Sequence, residues 1–303
     1  MISRLPPALR GVCTGTVLAL NTLLLTLAMV PAAAVKFAIR AVPVRRACDR
    51  VLIALASTWV AINNAWIDAA GPAPWDVQGV EGVAGLREDA WYLVSSNHRS
   101  WVDIVVLQRV LHGRVPFLKF FLKQELIWVP VIGWAWWALD FPFMKRGKGA
   151  GAQRSDLTAA REACEKFKRV PTSVINFLEG TRYSEAKRDE QGSPYRHLLK
   201  PKVGGLGIAL ATMGDRFDSM LDVTIVYPGG TPTFGDLLCG RVGTVHVRVD
   251  RVPIPADLVG GDPIMDRAYR RRLTAWVDAQ WAAKDALIER LMIEDRKVRA
   301  GAA

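Results

Sequence analysis

Residues 11 to 35 of this 303-residue chain, GVCTGTVLALNTLLLTLAMVPAAAV, run for 25 positions without a charged side chain. Nothing else in the sequence constrains the fold as strongly, because about 20 apolar residues suffice to cross a bilayer as a helix. Arg4 and Arg10 precede the run, while Lys36, Arg40, Arg45, Arg46 and Arg50 follow it. By the positive-inside rule the following side is cytoplasmic. The PAAAV end also offers an Ala-x-Ala cleavage site, so a signal peptide is the rival reading. Against it, the run is long for such a leader, and the residues that follow are again apolar and basic. A second uncharged stretch, VLIALASTWVAINNAWI (51–67), has 17 residues interrupted by Asn63 and Asn64. It fits a span, one arm of a hairpin within a single leaflet, or a helix packed on a soluble domain. GPAPW (71–75) then breaks the pattern. The expected organisation is therefore membrane-anchoring helices over 1–70 and a second domain over 71–303.

Composition points to the same surroundings. There are 40 Lys and Arg against 29 Asp and Glu, a net charge of +11, and eleven tryptophans in a chain that is half hydrophobic. An apolar, basic, Trp-rich protein suits an anionic membrane surface. No recognition-helix, zinc-finger or RRM-like pattern supports nucleic acid as a partner. Cys13, Cys48, Cys164 and Cys239 show neither CxxC nor metal spacing, so they read as reduced thiols with no metal expected.

From residue 90 strand-like and helix-like segments alternate. AWYLVSS, TSVINFL, DVTIVYP and TVHVRVDRVPI read as strands. SWVDIVVLQRVL, SDLTAAREACEKFKR, VGGLGIALATMG and a long amphipathic stretch over 266–295 read as helices. The pattern predicts an α/β fold, a central mixed sheet flanked by helices.

The segment LVSSNHRSWVDIVVL (93–107) places one of only four histidines where a strand gives way to a helix. Ser100 and Asp103 form an S-x-x-D relative of the capping box, which predicts a helix from Ser100 and leaves His98 in the loop before it. Within one continuous helix, residues five apart point about 140° away from each other. With His98 outside the helix, the chain can fold back and bring Asp103 to the imidazole, a base oriented by an acid. No GxSxG elbow supplies a nucleophile, so a substrate hydroxyl can take that role. Asp103 as a plain helix cap fits the same spacing. Two basic, Gly-containing turns add to this: DFPFMKRGKG (140–149), and the Glu179-Gly180-Thr181-Arg182 end of VINFLEGTRYSEAKR. Strand ends of this kind hold ligands in α/β proteins, and Arg grips phosphate with two parallel bonds. A surface turn, or a buried ion pair for Glu179, fits equally well.

Taken in order, NHRSWVD, FMKR (143–146), FLEGTR (177–182) and IVYP (225–228) resemble the lysophospholipid acyltransferase family, PlsC-like 1-acylglycerol-3-phosphate acyltransferases. KFFLKQELIWVPVIGWAWW and FLEGTRYSEAK are most similar to its lysocardiolipin and lysophosphatidylinositol branch. The resemblance runs from about residue 85 to 230. It implies a glycerolipid acyltransferase-like fold behind the apolar hairpin, and a membrane enzyme making phosphatidate from lysophosphatidate. Acylation of lysophosphatidylglycerol, lysophosphatidylinositol or lysocardiolipin is the alternative, and a catalytically silent lipid-binding membrane protein is the reading from another class. His98 would be the general base and Asp103 its orienting acid. Arg146 and Arg182 would hold the acceptor phosphate, with Glu179, Gly180 and Thr181 shaping the binding turn. Acyl-CoA or acyl-carrier protein would be the donor, with no further cofactor, at the cytoplasmic membrane with the site facing the cytoplasm. The acyl chain would run in an apolar tunnel; VPFLKFFL with Trp128, Trp134, Trp136 and Trp137 is available as lining, interfacial anchor or core. The FxxR motif carries Lys145 where many glycerophosphate-type members have an acidic residue, which leaves the head group open.

Overall fold

The computed structural model of the chain describes residues 4–71, 75–79, 85–144 and 150–301. The two uncharged stretches lie in two long helices, α1 (Pro7–Ala38) and α2 (Val42–Ala70), at about 1.5 Å per residue some of the longest elements of the fold. Each has a proline in its first two positions, where a missing N–H has no helical partner to lose. Only residues 39–41 separate them, so Lys36 falls in the last turn of α1, Arg40 in the connection, and Arg45, Arg46 and Arg50 in the first turns of α2. The asparagines have a structural role inside the hairpin. Asn21 Nδ2 donates to Asn63 Oδ1 at 2.7 Å and to the Trp59 carbonyl at 3.1 Å, and Trp59 Nε1 donates to Thr22 at 2.9 Å. Between apolar helices each such bond contributes on the order of 1 kcal/mol and sets their register.

The chain beyond the hairpin builds one six-stranded mixed sheet. Its strands are β1 (Trp75–Gln78), β2 (Trp91–Ser96), β3 (Leu118–Phe120), β6 (Ser173–Phe177), β7 (Phe217–Val226) and β8 (Val245–Val252), in the order β1-β8-β7-β2-β6-β3. Only the β7–β8 pair is antiparallel. Two short strands, β4 (Leu122–Lys123) and β5 (Phe143–Met144), form a separate parallel pair. The helices are α3 (Val102–Leu111), α4 (Ile132–Ala138), α5 (Ala150–Phe167), α6 (Glu185–Glu190), α7 (Gly204–Met213), α8 (Phe234–Leu238) and α9 (Arg267–Gly301). The predicted α/β alternation and mixed sheet are therefore present.

Strand side chains alternate between two apolar layers. Tyr92 and Val94 of β2, with Leu221, Val223 and Ile225 of β7, pack in one cluster with Val106 and Leu107 of α3 and with Leu52 and Ala56 of α2. Leu93 and Met220 face the other way, onto Phe167 of α5, Leu210 of α7 and Trp281 of α9. α9 is pinned there by Lys284, which is buried and reaches Asp222 at 3.0 Å and the Val223 carbonyl at 2.6 Å.

The hairpin thus lies against the α3 side of the sheet. α2 turns Leu52, Ala56, Val60 and Ile67 inward. α1 meets the domain near both ends. Near its start Gly11 abuts α8, where a Cβ would come within 2.7 Å of Cys239 Sγ. At its far end Phe37 stacks on Trp137 with ring centroids 4.1 Å apart. Between these ties Leu20, Leu23, Leu24, Leu27 and Val30 face outward and are exposed.

Lys36 departs from expectation. Read as part of a lipid-facing basic cluster, it is instead buried, with its ammonium 2.8 Å from Asp49 and 2.6 Å from Asp140. Arg169 joins the same two carboxylates. Arg40, Arg46 and Arg50 remain exposed. Burial pushes the Asp140 carboxyl up, but Lys36, with Lys119 and Arg169, outweighs it and holds Asp140 below its ordinary range. Lys119 is buried on β3 beside this network, and burial pulls its ammonium down to about 8 against the attraction of Asp140. Asp140 sits at φ 60°, in the left-handed region that an aspartate tolerates better than most residues. Removing one partner of a buried pair leaves an uncompensated charge, so Lys36→Met is expected to destabilise the protein by about 3 kcal/mol. A fall of several degrees in the thermal midpoint in detergent checks this, and adding Asp140→Asn should recover part of the loss. An unchanged midpoint for Lys36→Met would show that the network contributes little.

Candidate active site

β7, β2 and β6 lie side by side and parallel, so their C-terminal ends open onto one edge of the sheet, the usual ligand edge of an α/β protein. β2 leads into Asn97 and His98, β6 into Glu179 and Arg182, and β7 into Tyr227. Asn97 is buried, and its amide both donates to and accepts from the backbone of Ile225 at 2.8 Å. It thereby extends the β2–β7 pairing one residue past the strand.

His98 and Asp103 meet: Nδ1 lies 2.8 Å from Asp103 Oδ2. The His98 side chain is 13% exposed, and its ring stacks on Phe177 with centroids 4.1 Å apart. Among the described residues Nε2 has no hydrogen-bond partner, so it is the nitrogen free to take a proton. Asp103 is fully buried, and four donors converge on it. Besides the imidazole these are the Arg99 N–H at 2.6 Å, the Ser100 N–H at 2.8 Å and the Tyr227 hydroxyl at 2.7 Å. Charge-assisted bonds of this kind offset the cost of burying a carboxylate. Capping the loop and holding the imidazole are thus done by one carboxylate, not alternatives.

The helix itself begins at Val102, two residues after the expected Ser100. The Ser100 hydroxyl is engaged elsewhere, donating to the Pro232 carbonyl at 2.6 Å and accepting from the Val102 N–H at 3.0 Å. It therefore does not cap Asp103.

The Glu179–Arg182 turn is tied to His98 from both sides. The His98 N–H donates to Glu179 Oε1 at 2.7 Å, and the Tyr183 N–H donates to the His98 carbonyl at 2.8 Å. Glu179 Oε2 accepts from the Leu199 N–H at 3.0 Å. Glu179 is fully buried, with backbone amides as its direct partners rather than a cation, so it is not the ion pair considered from sequence. Burial pushes its carboxyl up to about 7, against the two backbone bonds and Arg99. Gly180 has φ 67°. A Cβ there would meet the stem of Lys202 at 3.1 Å, so the glycine lets Lys202 lie across the turn. The Thr181 hydroxyl accepts from Lys187 at 3.0 Å. Arg182 is exposed, with its guanidinium 5.1 Å from the centre of the half-exposed Trp101 ring. Neither Arg182 nor Lys202 has a carboxylate partner among the described residues. Arg146, with Lys145 and Lys148, lies outside the described residues.

Of the four tryptophans near residue 130, Trp136 is partly buried against the core. Trp128, Trp134 and Trp137 are exposed by 84%, 68% and 42%, so they do not line a tunnel. Instead a stack of rings leads inward from His98, through Phe177 and Phe120 to Phe141 and Phe117. Sequence reasoning missed Tyr227 and Lys202 at this site. IVYP was visible as a motif, but nothing in the string shows that its tyrosine reaches Asp103, 124 positions away. Among the described residues no group of three or more His, Cys, Asp or Glu is placed to share a metal ion.

Comparison with known proteins bears on this geometry. A family model described as Acyltransferase matches residues 79–254, more than half of the chain. The 1-acyl-sn-glycerol-3-phosphate acyltransferase epsilon of Mus musculus is 25% identical, over 67% of this chain and 58% of that protein. Lysocardiolipin acyltransferase 1 of Danio rerio is 27% identical, over 80% of this chain and 61% of that protein. The chain thus spans about three fifths of the length of these relatives. The crystal structure of the 1-acyl-sn-glycerophosphate acyltransferase of Thermotoga maritima aligns with 88% of this chain and 98% of its own, at a TM-score of 0.44 and 21% identity.

Glu179 yields a pH test. Its carboxyl, 4.5 in an ordinary setting, is raised to about 7, so between those values the folded protein keeps a proton that the unfolded chain releases. Its contribution to stability is therefore full below about 4.5 and is lost as pH rises toward 7. Glu179→Gln is expected to flatten that slope in thermal melts, and to lower kcat without raising KM, because both carboxyl oxygens face backbone amides. A rise in KM for the lipid alone would instead put Glu179 against substrate.

Proposed function

We propose, on the premise that this chain belongs to the acyltransferase family, that it moves a fatty acyl group from a thioester to the free hydroxyl of 1-acylglycerol-3-phosphate, giving phosphatidate. The observation that carries this reading is the His98–Asp103 pair with its free Nε2, beside a turn whose Arg182 has no carboxylate partner among the described residues. His98 Nε2 takes the hydroxyl proton as the oxygen bonds to the thioester carbonyl carbon. The tetrahedral intermediate collapses with cleavage of the C–S bond, and the departing thiolate takes the proton from the imidazolium. Asp103 keeps the imidazole in the tautomer with its proton on Nδ1 and stabilises the imidazolium. General-base catalysis of this kind contributes about 10²- to 10⁴-fold. Arg182, and Arg146 by its motif, hold the acceptor phosphate, and Thr181 with Gly180 gives the turn its shape.

The donor is acyl-CoA or acyl-carrier protein, both cytoplasmic, and the acceptor lies in the bilayer. The chemistry therefore belongs at the cytoplasmic surface of the cell membrane. α1 and α2 are long and apolar enough to enter a membrane. With α1 tied to the domain near both ends, the hairpin lies along the surface within one leaflet. Trp134 and Trp137 sit beside Phe37 where interfacial rings belong. Exposed Arg40, Arg46 and Arg50 face anionic lipid, each contributing about 1 kcal/mol near the surface. Lysophosphatidylglycerol, lysophosphatidylinositol or lysocardiolipin is the alternative acceptor, favoured by the longer match to a lysocardiolipin acyltransferase and by Lys145.

Purified protein assayed with labelled acyl-CoA and acyl-carrier protein against a panel of lysophospholipids tests the reading. Transfer to lysophosphatidate is expected, and transfer to none would sink it. His98→Ala and Asp103→Asn should each lose most turnover while remaining folded. Arg182→Ala and Arg146→Ala should raise KM for the acceptor more than for the donor, with Arg→Lys rescuing only in part. Equal effects on both substrates would point to a structural role.

A further inference from the structure

Of the four ordered motifs, IVYP alone has no chemistry in the proposed reaction. Its tyrosine is the first residue past β7 and is 6% exposed. The Tyr227 hydroxyl donates at 2.7 Å to Asp103 Oδ1, while Oδ2 is the oxygen that faces His98 Nδ1 at 2.8 Å. Two residues back, both backbone groups of Ile225 are held by the Asn97 amide, next to His98. The end of β7 is thus joined to the catalytic loop at three points, and one of them is the carboxylate itself.

We propose that Tyr227 is a positioning residue for the His98–Asp103 pair, holding the carboxylate in the one rotation that keeps Oδ2 on the imidazole and drawing negative charge toward Oδ1. The inference rests on the acyl-transfer reading and adds to it a determinant of the strength of the base. Tyr227 touches neither reacting atom, since its hydroxyl lies on the far oxygen of Asp103. Burial, and then the Asp103 charge, push its phenol well above 10, so it remains a donor across the working pH range. The charged and titratable groups facing this carboxylate are His98 and Arg99 from its own loop, Glu179 from the end of β6, and Tyr227 from the end of β7. Glu179 and Arg99 keep their partners when the Tyr227 hydroxyl is removed, so the change is confined to Asp103.

The test uses the full-length protein in detergent with lysophosphatidate and acyl-CoA. Tyr227→Phe should lower kcat by roughly tenfold, the effect of one lost hydrogen bond to a charged group. KM for both substrates should hold within about twofold, since no substrate contact is removed. The acidic limb of the kcat profile should move to higher pH, because a carboxylate relieved of one donor favours the imidazolium more strongly. A second variant guards against misfolding: 3-fluorotyrosine at position 227 keeps the shape and strengthens the donor, and should move that limb to lower pH. In an Asp103→Asn background, Tyr227→Phe should cost little further. An unchanged kcat and pH profile in both altered proteins, or a raised KM with kcat intact, overturns the positioning role while leaving acyl transfer standing. An unaltered protein that acylates no lysophospholipid overturns the acyl-transfer reading and this inference with it.

Discussion

A single buried carboxylate organises the site. Asp103 has no exposed surface, and a charge in that position is tolerable only with its hydrogen-bonding capacity filled. The donors come from the loop after β2 and from the end of β7, so the bonds form only when those strands are adjacent and in register. The Asn97–Ile225 bonds hold that register one residue past the strand. Glu179 then fastens the neighbouring β6 turn to the backbone of His98 itself. Three strands therefore set the site together, and a shift of any one would leave a buried acid without partners.

The second cluster of buried charge works by the same logic at the junction with the apolar hairpin. Lys36 and Asp49 come from α1 and α2, while Asp140 and Arg169 come from the domain. Apolar contacts between α2 and α3 resist separation but are indifferent to small slides, since dispersion and hydrophobic burial are not directional. Ion pairs with fixed geometry are directional, and a displaced partner would leave a charge buried alone. The hairpin is held by apolar area and located by charge. Its outer face is left apolar, with Trp134 and Trp137 beside it, so one surface of the molecule combines exposed leucines with indole rings.

Much of the architecture was legible because local periodicity carries it. Short apolar, strand-like runs marked β2 and β6, alternation at period two marked β8, and helix-like patterning marked α3, α5 and α9 to within about six residues. The loop position of His98 followed from the S-x-x-D pattern at Ser100, and the 3.6-residue repeat showed why a pairing with Asp103 requires that position. Misplaced details share a cause. Ser100 has the right type for a cap, but its hydroxyl oxygen accepts from the Val102 N–H instead of that of Asp103, while its proton goes to the Pro232 carbonyl far along the chain. Lys36 looks like a flanking membrane lysine until Asp140 is brought beside it. The tryptophans near residue 130 could not be sorted into lining or surface by spacing alone, because that depends on which side faces α1.

By itself, then, the sequence determined the two apolar helices, four strands of the central sheet, the helices α3, α5, α7 and α9, and the motif set that names the chemistry of the site, while the shorter β1, β3, β4, β5, α4, α6 and α8 went unread. These are matters of residue type and near-neighbour spacing, which the string records directly. Only the tertiary structure decided which atoms of those residues meet. It put Tyr227 on Asp103, Glu179 on backbone amides instead of a cation, Lys36 in a buried pair, and Lys202 across Gly180. Each of those contacts joins residues more than ten positions apart. The physical reason is that a buried polar group takes its partner from whichever strand or helix packs beside it, and packing depends on strand order and register rather than on any local pattern.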